Sequence, residues 1–260
     1  MRLRVLGCHG GELPDCRSTC FLIDDALAID AGALTSALTL PELDRVEHIL
    51  VSHSHFDHVK DLPMVTDNLV LRRKKPITVW ASTACARTLK THMFNQGLWP
   101  DFTRIPTRAA PALVYRVIPE GSYSRVCGLS VKPVRVNHPV FATGFILREP
   151  GTSIIYSGDT GPTEAIWKAA RRLPDLQAVI VECSFPNALE EVALASGHLT
   201  PALLERELER LGRPEVPVYL YHMKPLHLAD IARELAEMSR PVDMLCQGRR
   251  YTFSAREVRT

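Results

Sequence analysis

The run Ile49-Leu50-Val51-Ser52-His53-Ser54-His55-Phe56-Asp57-His58 constrains this chain more than any other. An apolar stretch of strand type ends at Ser52, and the chain then places His53 and His55 two apart. Residues two apart in extended backbone share a face, so both imidazoles can reach one ion. Asp57 and His58 follow as the chain turns, offering a carboxylate and a third imidazole to a second ion nearby. Imidazole with carboxylate oxygen and no thiolate is the donor mixture of a catalytic rather than a structural zinc site. The chain has 10 His in 260 residues. At that frequency, three His and one Asp at four fixed positions arise by chance in roughly one chain in a thousand. The alternative is a hydrogen-bonded histidine cluster without metal, in which such groups would compete for few partners.

Around this run, short apolar segments bounded by Gly, Pro, Asp or Asn predict strands. They cover Leu3–Leu6, Cys20–Ile23, Leu27–Ile29, His48–Val51, Ile77–Trp80, Leu113–Val117, Leu129–Val136, Phe145–Leu147, Ser153–Tyr156, Ala178–Val181 and Val218–Tyr221. Helical spacing covers Thr83–Met93, Thr163–Arg172, Pro201–Leu211 and Leu228–Ser239, with Thr200 as a cap, Pro201 in the first turn and Gly212 as a stop. Strands dominate the first half, and strands and helices alternate in the second. That mixture predicts an α/β protein of layered sheets with helices outside, not a barrel or a bundle. The interval Pro100–Pro119, rich in Pro, Ala and Arg, is expected to be extended or mobile. It is too short to link domains, so residues 1–260 are expected to form one domain.

The 31 Lys and Arg against 29 Asp and Glu give +2, without the electrostatic footprint of a nucleic-acid binder. The opening Met1-Arg2-Leu3-Arg4-Val5-Leu6-Gly7 lacks the continuous apolar core of a secretory signal, and no apolar run approaches a membrane span. Seven cysteines at scattered spacings, with no CxxC pair, read as the reduced thiols of a cytoplasmic protein.

The histidine–aspartate run resembles the signature of the metallo-β-lactamase superfamily, whose fold brings further ligands from later strand ends. His138 follows one apolar strand, Asp159 in Ser157-Gly158-Asp159-Thr160-Gly161 follows another, and His222 ends Val218–Tyr221. The resemblance implies a four-layer αββα sandwich, two mixed sheets with helices outside, holding two divalent metal ions. It places one ion on His53, His55 and His138, the other on Asp57, His58 and His222, and Asp159 between them. Zn²⁺ suits these donors, and Mn²⁺ or Fe²⁺ could fill the same shell.

Four later segments narrow the resemblance: Ser157–Thr163, Val181–Asn187, Ser196–Pro201 and His222-Met223-Lys224-Pro225. Together with Val5–Gly11 and Ile29-Asp30-Ala31-Gly32, they look like class II cyclic-nucleotide phosphodiesterases. The resemblance implies hydrolysis of a small phosphodiester, foremost a 3′,5′-cyclic nucleotide (cAMP or cGMP), by a hydroxide bridging the metals. Asp57, His198 and Glu182 would be the catalytic residues. His198 would be the general acid and Glu182 the carboxylate that orients it. The chain departs from that class at Phe56, where Leu is usual, and at Val59-Lys60-Asp61, where a Gly is usual.

Three other readings share these residues. An RNA-processing endonuclease of the tRNA 3′-end type usually carries a glycine-rich basic arm, whereas Lys60–Glu120 contains one glycine, Gly97. A thioester or lactone hydrolase is open to the same fold. A metal-dependent binding protein without turnover would be expected to have lost some of the ligand set. The expected partner is a small-molecule phosphodiester, with no membrane and no nucleic acid, and a homodimer is the default assembly. Arg72-Arg73-Lys74-Lys75 reads as a solvated loop. Lys224 reads equally as a phosphate contact or a surface residue. Trp99, Phe102 and Phe141 read as core or rim packing, and Cys183 as a small buried hydrophobe.

Overall fold

The computed structural model describes residues 1–255. Two seven-stranded sheets form its centre. The first runs, in spatial order, Arg250–Thr252, Arg2–Gly7, Cys20–Ile23, Leu27–Ile29, His48–Leu50, Ile77–Ala81 and Leu113–Val117. Its last four strands are parallel. The second runs Asp243–Met244, Val218–Tyr221, Leu176–Glu182, Thr152–Tyr156, Thr143–Glu149, Leu129–Arg135 and Ser124–Val126, and its first four strands are parallel.

Alternation of side chains across each sheet builds the layers. On the first sheet Ile49 points into a cluster with Leu62, Val65, Val79 and Leu89, under the outer helices Leu62–Leu69 and Thr83–Thr88. Its neighbour Leu50 points the other way, against Phe145, Tyr156, Ile180 and Tyr221 of the second sheet. On that sheet Val179 and Val181 face outward to Trp167, Leu204, Leu208 and Ile231, on the helices Ala165–Arg171, Pro201–Leu211 and Leu228–Ala236. The order is helix, sheet, sheet, helix: the αββα sandwich with two mixed sheets.

Helix Pro201–Leu211 has the bounds its punctuation predicts. The Thr200 hydroxyl accepts from the Leu203 N–H, and Gly212 closes the helix at φ 61°. Elsewhere the boundaries move. The helix from Thr83 is α-helical to Thr88 and widens into a π turn over Leu89–Met93. Thr163 falls outside its predicted helix, which begins at Ala165, and its N–H donates to Glu207 Oε2 (2.9 Å). Pro100–Pro119 runs through turns into the strand Leu113–Val117. Phe102 is buried in the first core, and Leu113 N–H donates to Phe102 O (3.1 Å). Among the described residues, no helix is long and apolar enough to cross a membrane.

Trp167 is fully buried, and its Nε1–H donates to Glu207 Oε2 (2.6 Å), while Glu207 Oε1 accepts from Arg210 (2.6 Å). Trp167→Ala removes the largest buried ring and leaves that carboxylate short of a donor. A loss of about 3–5 kcal/mol in stability is expected, read as a shifted urea midpoint. A loss below about 1 kcal/mol would show that the outer layer collapses to fill the space.

Candidate metal centre

Parallel strands deliver their C-terminal ends to one edge, and there the chemistry-bearing residues of both sheets meet. Asp30 follows Leu27–Ile29, His53 follows His48–Leu50, and Glu182 closes Leu176–Glu182. Asp159 and His222 follow Thr152–Tyr156 and Val218–Tyr221, and His138 follows Leu129–Arg135. His55 is still extended, at φ −65° and ψ 147°, and the short helix Phe56–Val59 then turns Asp57 and His58 back toward His53. Two glycines permit close packing beneath the site. A Cβ on Gly10 would lie 2.7 Å from His222 Nδ1, and one on Gly32 would lie 2.1 Å from the Asp57 carbonyl.

Within this edge the donor atoms of His53, His55 and His138 all lie within 4.8 Å of one another, as do those of Asp57, His58 and His222. Asp159 lies between the two trios. Its Oδ2 is 3.0 Å from His222 Nε2, 3.1 Å from His58 Nε2 and 3.8 Å from His53 Nε2. His55 Nδ1 and His138 Nε2 are 3.0 Å apart, and His222 Nε2 is 3.3 Å from Asp57 Oδ2. All seven residues named as ligands by the resemblance are thus gathered in one place.

Four of the five donor rings are oriented from behind. His58 Nδ1–H donates to Asp30 Oδ2 (2.8 Å), His138 Nδ1–H to Gly197 O (2.9 Å), and His222 Nδ1–H to Ser184 Oγ (2.9 Å). His53 Nδ1–H donates to Ser52 Oγ (3.0 Å), whose own proton goes to Asp30 Oδ2 (2.9 Å). These bonds occupy Nδ1 of His53, His58, His138 and His222 and aim their Nε2 atoms at the centre.

The electrostatics divide the site. Burial, the largest influence on each, pulls His53 well below the ordinary histidine range, and His55 and His138 below it. Burial also opposes charge on His58 and His222. The surrounding carboxylates, Asp159 foremost, outweigh it, raising His58 well above its usual value and His222 to about 9. Asp57 and Asp159 are buried as well, which would raise them, yet the neighbouring rings of His58 and His222 hold both below the carboxylate range. Within the two trios and Asp159, two acceptors are buried with no hydrogen-bond partner: His53 Nε2 and Asp159 Oδ1. Leaving such atoms unpaired costs about 1–3 kcal/mol each. A cation among them satisfies both, so the donor set fits divalent metal ions.

Beside the trios, His198 Nδ1–H donates to Glu182 Oε1 at 2.7 Å. Glu182 is fully buried and also accepts from Thr160 N–H (3.0 Å), Ser184 Oγ–H (2.8 Å) and Leu199 N–H (3.3 Å). The His198 ring lies 5.2 Å from that of His222 and 5.1 Å from that of His138.

Sequence reasoning gave no role to Asp30, Ser52 or Ser184. Asp30 accepts from Ser52, His58 and Tyr156 at once. Its one sequence signal is an acid directly after an apolar strand and before Ala31-Gly32, a turn that takes it to φ 57°. Lys224 is turned to the Gly10 carbonyl (2.6 Å). Arg72 pairs with Asp44 (2.9 Å) on an exposed loop. Trp99 packs on the first core, and Phe141 lies under the Arg135 guanidinium (3.7 Å). Cys183 is buried, and burial raises its thiol well above the usual value, the opposite of what a nucleophile needs.

A family model for the β-lactamase superfamily domain matches residues 21–223. A probable 3′,5′-cyclic-nucleotide phosphodiesterase from Yersinia pestis is 28% identical over 234 residues, covering 77% of this chain and 66% of the relative. A 3′,5′-cyclic-nucleotide phosphodiesterase from Aliivibrio fischeri is 29% identical over 251 residues, covering 80% of this chain and 74% of the relative. The solved structure of unliganded yeast PDE1 superposes with a TM-score of 0.80 at 20% identity, covering 96% of this chain and 98% of that one. With the matched region reaching from the second strand to just past His222, the chain belongs to the metallo-β-lactamase superfamily.

Proposed function

We propose that this chain is a dinuclear metal-dependent phosphodiesterase acting on a small phosphodiester, with a 3′,5′-cyclic nucleotide as its foremost substrate. The observation that carries the reading is the pairing of two buried, donorless acceptors, His53 Nε2 and Asp159 Oδ1, with a carboxylate-held histidine one ring away. The names of the Yersinia and Aliivibrio relatives support the substrate class, over about two thirds and three quarters of their lengths.

His53, His55 and His138 would hold one ion, Asp57, His58 and His222 the other, and Asp159 would bridge; Zn²⁺ suits this imidazole and carboxylate mixture, as Mn²⁺ or Fe²⁺ could. The chemistry such a pair supplies when bound is acidification of water and neutralisation of phosphoryl charge. The chain's own task is the leaving group. A ribose alkoxide departs poorly without a proton, and His198, with Nδ1–H fixed on Glu182, can present a proton from Nε2. The buried carboxylate fixes the direction of the ring. Four of the seven free cysteines are buried, which supports reduced thiols and a cytoplasmic location for one domain of residues 1–260. A homodimer is the assembly we take as default.

The test is a hydrolysis panel with zinc-loaded protein: 3′,5′-cyclic AMP and GMP, 2′,3′-cyclic nucleotides, bis(p-nitrophenyl) phosphate, a short RNA and a thioester. Turnover of the 3′,5′-cyclic nucleotides is expected, lost on chelation and restored by Zn²⁺. Turnover of the thioester with none on any diester would overturn the reading.

A further inference from the structure

Two buried carboxylates serve the site in the same way from opposite sheets. Asp30 holds one histidine directly, His58 at 2.8 Å, and another through a serine, Ser52 to His53 at 3.0 Å. Glu182 likewise holds His198 directly at 2.7 Å, and His222 through Ser184 at 2.9 Å. In the first arrangement both rings belong to the donor set. In the second, one ring belongs to it and the other is the proton donor of the function proposed above, a reading on which this inference rests.

We propose that Ser184 is a positioning residue that ties the His222 ring to the Glu182–His198 pair. Its hydroxyl is fully buried and has one proton, which goes to Glu182 Oε2 at 2.8 Å. Toward the rings it can therefore only accept, from His222 Nδ1 at 2.9 Å and, more distantly, from His198 Nδ1 at 3.2 Å. Accepting from His222 fixes the proton on Nδ1 and keeps the Nε2 lone pair aimed at the donor cluster. Donating to Glu182 holds the carboxylate in the plane that meets His198. Without the hydroxyl, a buried Nδ1–H loses its acceptor and Glu182 Oε2 loses its strongest donor. Both rings are then free to reorient.

The experiment compares Ser184→Ala, His198→Ala and the double variant. Zinc affinity is measured by equilibrium dialysis with zinc alone. At saturating zinc, kcat and KM are measured on 3′,5′-cyclic AMP and on bis(p-nitrophenyl) phosphate, whose leaving group needs no proton. Ser184→Ala is expected to weaken zinc binding about 10-fold or more and to lower kcat on the cyclic nucleotide about 10–100-fold, with KM nearly unchanged and a smaller loss on the activated diester. At saturating zinc its loss of kcat on the cyclic nucleotide should not add to that of His198→Ala, because that part of its effect acts through the His198 ring. Unchanged zinc affinity together with equal losses on the two diesters would overturn the proposal. Should Ser184→Ala fail to fold, Ser184→Cys, which keeps the volume and a weak donor, is read by the same criteria. A His198→Ala variant that slows both diesters equally would overturn the proton-donor reading, while zinc affinity still decides the tie from Ser184 to His222.

Discussion

Asp159→Ala is expected to lower phosphodiester turnover by about 10³-fold or more and to reduce bound metal from two ions to about one, counted by elemental analysis after dialysis. Its carboxylate approaches both trios, at 3.0 Å from His222, 3.1 Å from His58 and 3.8 Å from His53. Removing it would take away the proposed bridging anion and the largest electrostatic support of the His222 ring. Charge stabilisation at such centres amounts to several kcal/mol, and each tenfold in rate is about 1.4 kcal/mol. Asp159→Asn, which keeps the shape, should behave almost as badly, because the negative charge is what the site lacks without it. A variant with both ions in place and more than a tenth of wild-type turnover would remove Asp159 from the bridging position.

The second large effect separates metal holding from proton delivery. His198→Ala is expected to retain both ions and to lose roughly 10²–10⁴ in turnover of an unactivated diester, the range usual for a general acid. On bis(p-nitrophenyl) phosphate the loss should be under about tenfold, since nitrophenolate leaves without a proton. The geometry behind this is the 2.7 Å bond to Glu182, which occupies Nδ1 and leaves Nε2 for the substrate. Full activity on the unactivated diester would remove the role.

Much of the fold was legible because its signals are local. The helix Pro201–Leu211 carries its own cap, its own first-turn proline and its own stop, and its bounds follow from them. The strands Cys20–Ile23 and Leu27–Ile29 are buried without interruption, and Val218–Tyr221 at all but Tyr219, so a short apolar run between turn residues is enough to mark them. The edge strands Asp243–Met244 and Arg250–Thr252 are too short to show a period, and Arg2 pairs with Thr252 from the far end of the sequence. The helix Leu62–Leu69, with proline at its start and β-branched Val65 and Thr66 inside, is held by burial against the first sheet rather than by propensity. So it could not be read from composition.

The seven donor residues stood out because histidine and aspartate after strand ends are conspicuous residue types. Asp30, Ser52 and Ser184 were not, since an aspartate and two serines have many ordinary uses. Only the folded chain shows that Ser184 lies between three acid–base groups 2, 14 and 38 residues away.

Asp30 has one more bond, from the Tyr156 hydroxyl at 2.6 Å, and Tyr156 belongs to the opposite sheet. The same carboxylate that steadies His58 therefore also rivets the two halves of the sandwich together. Activity and global structure should then fail together: on heating, the loss of turnover and the loss of tertiary signal would trace a single curve, with no folded but inert species between them.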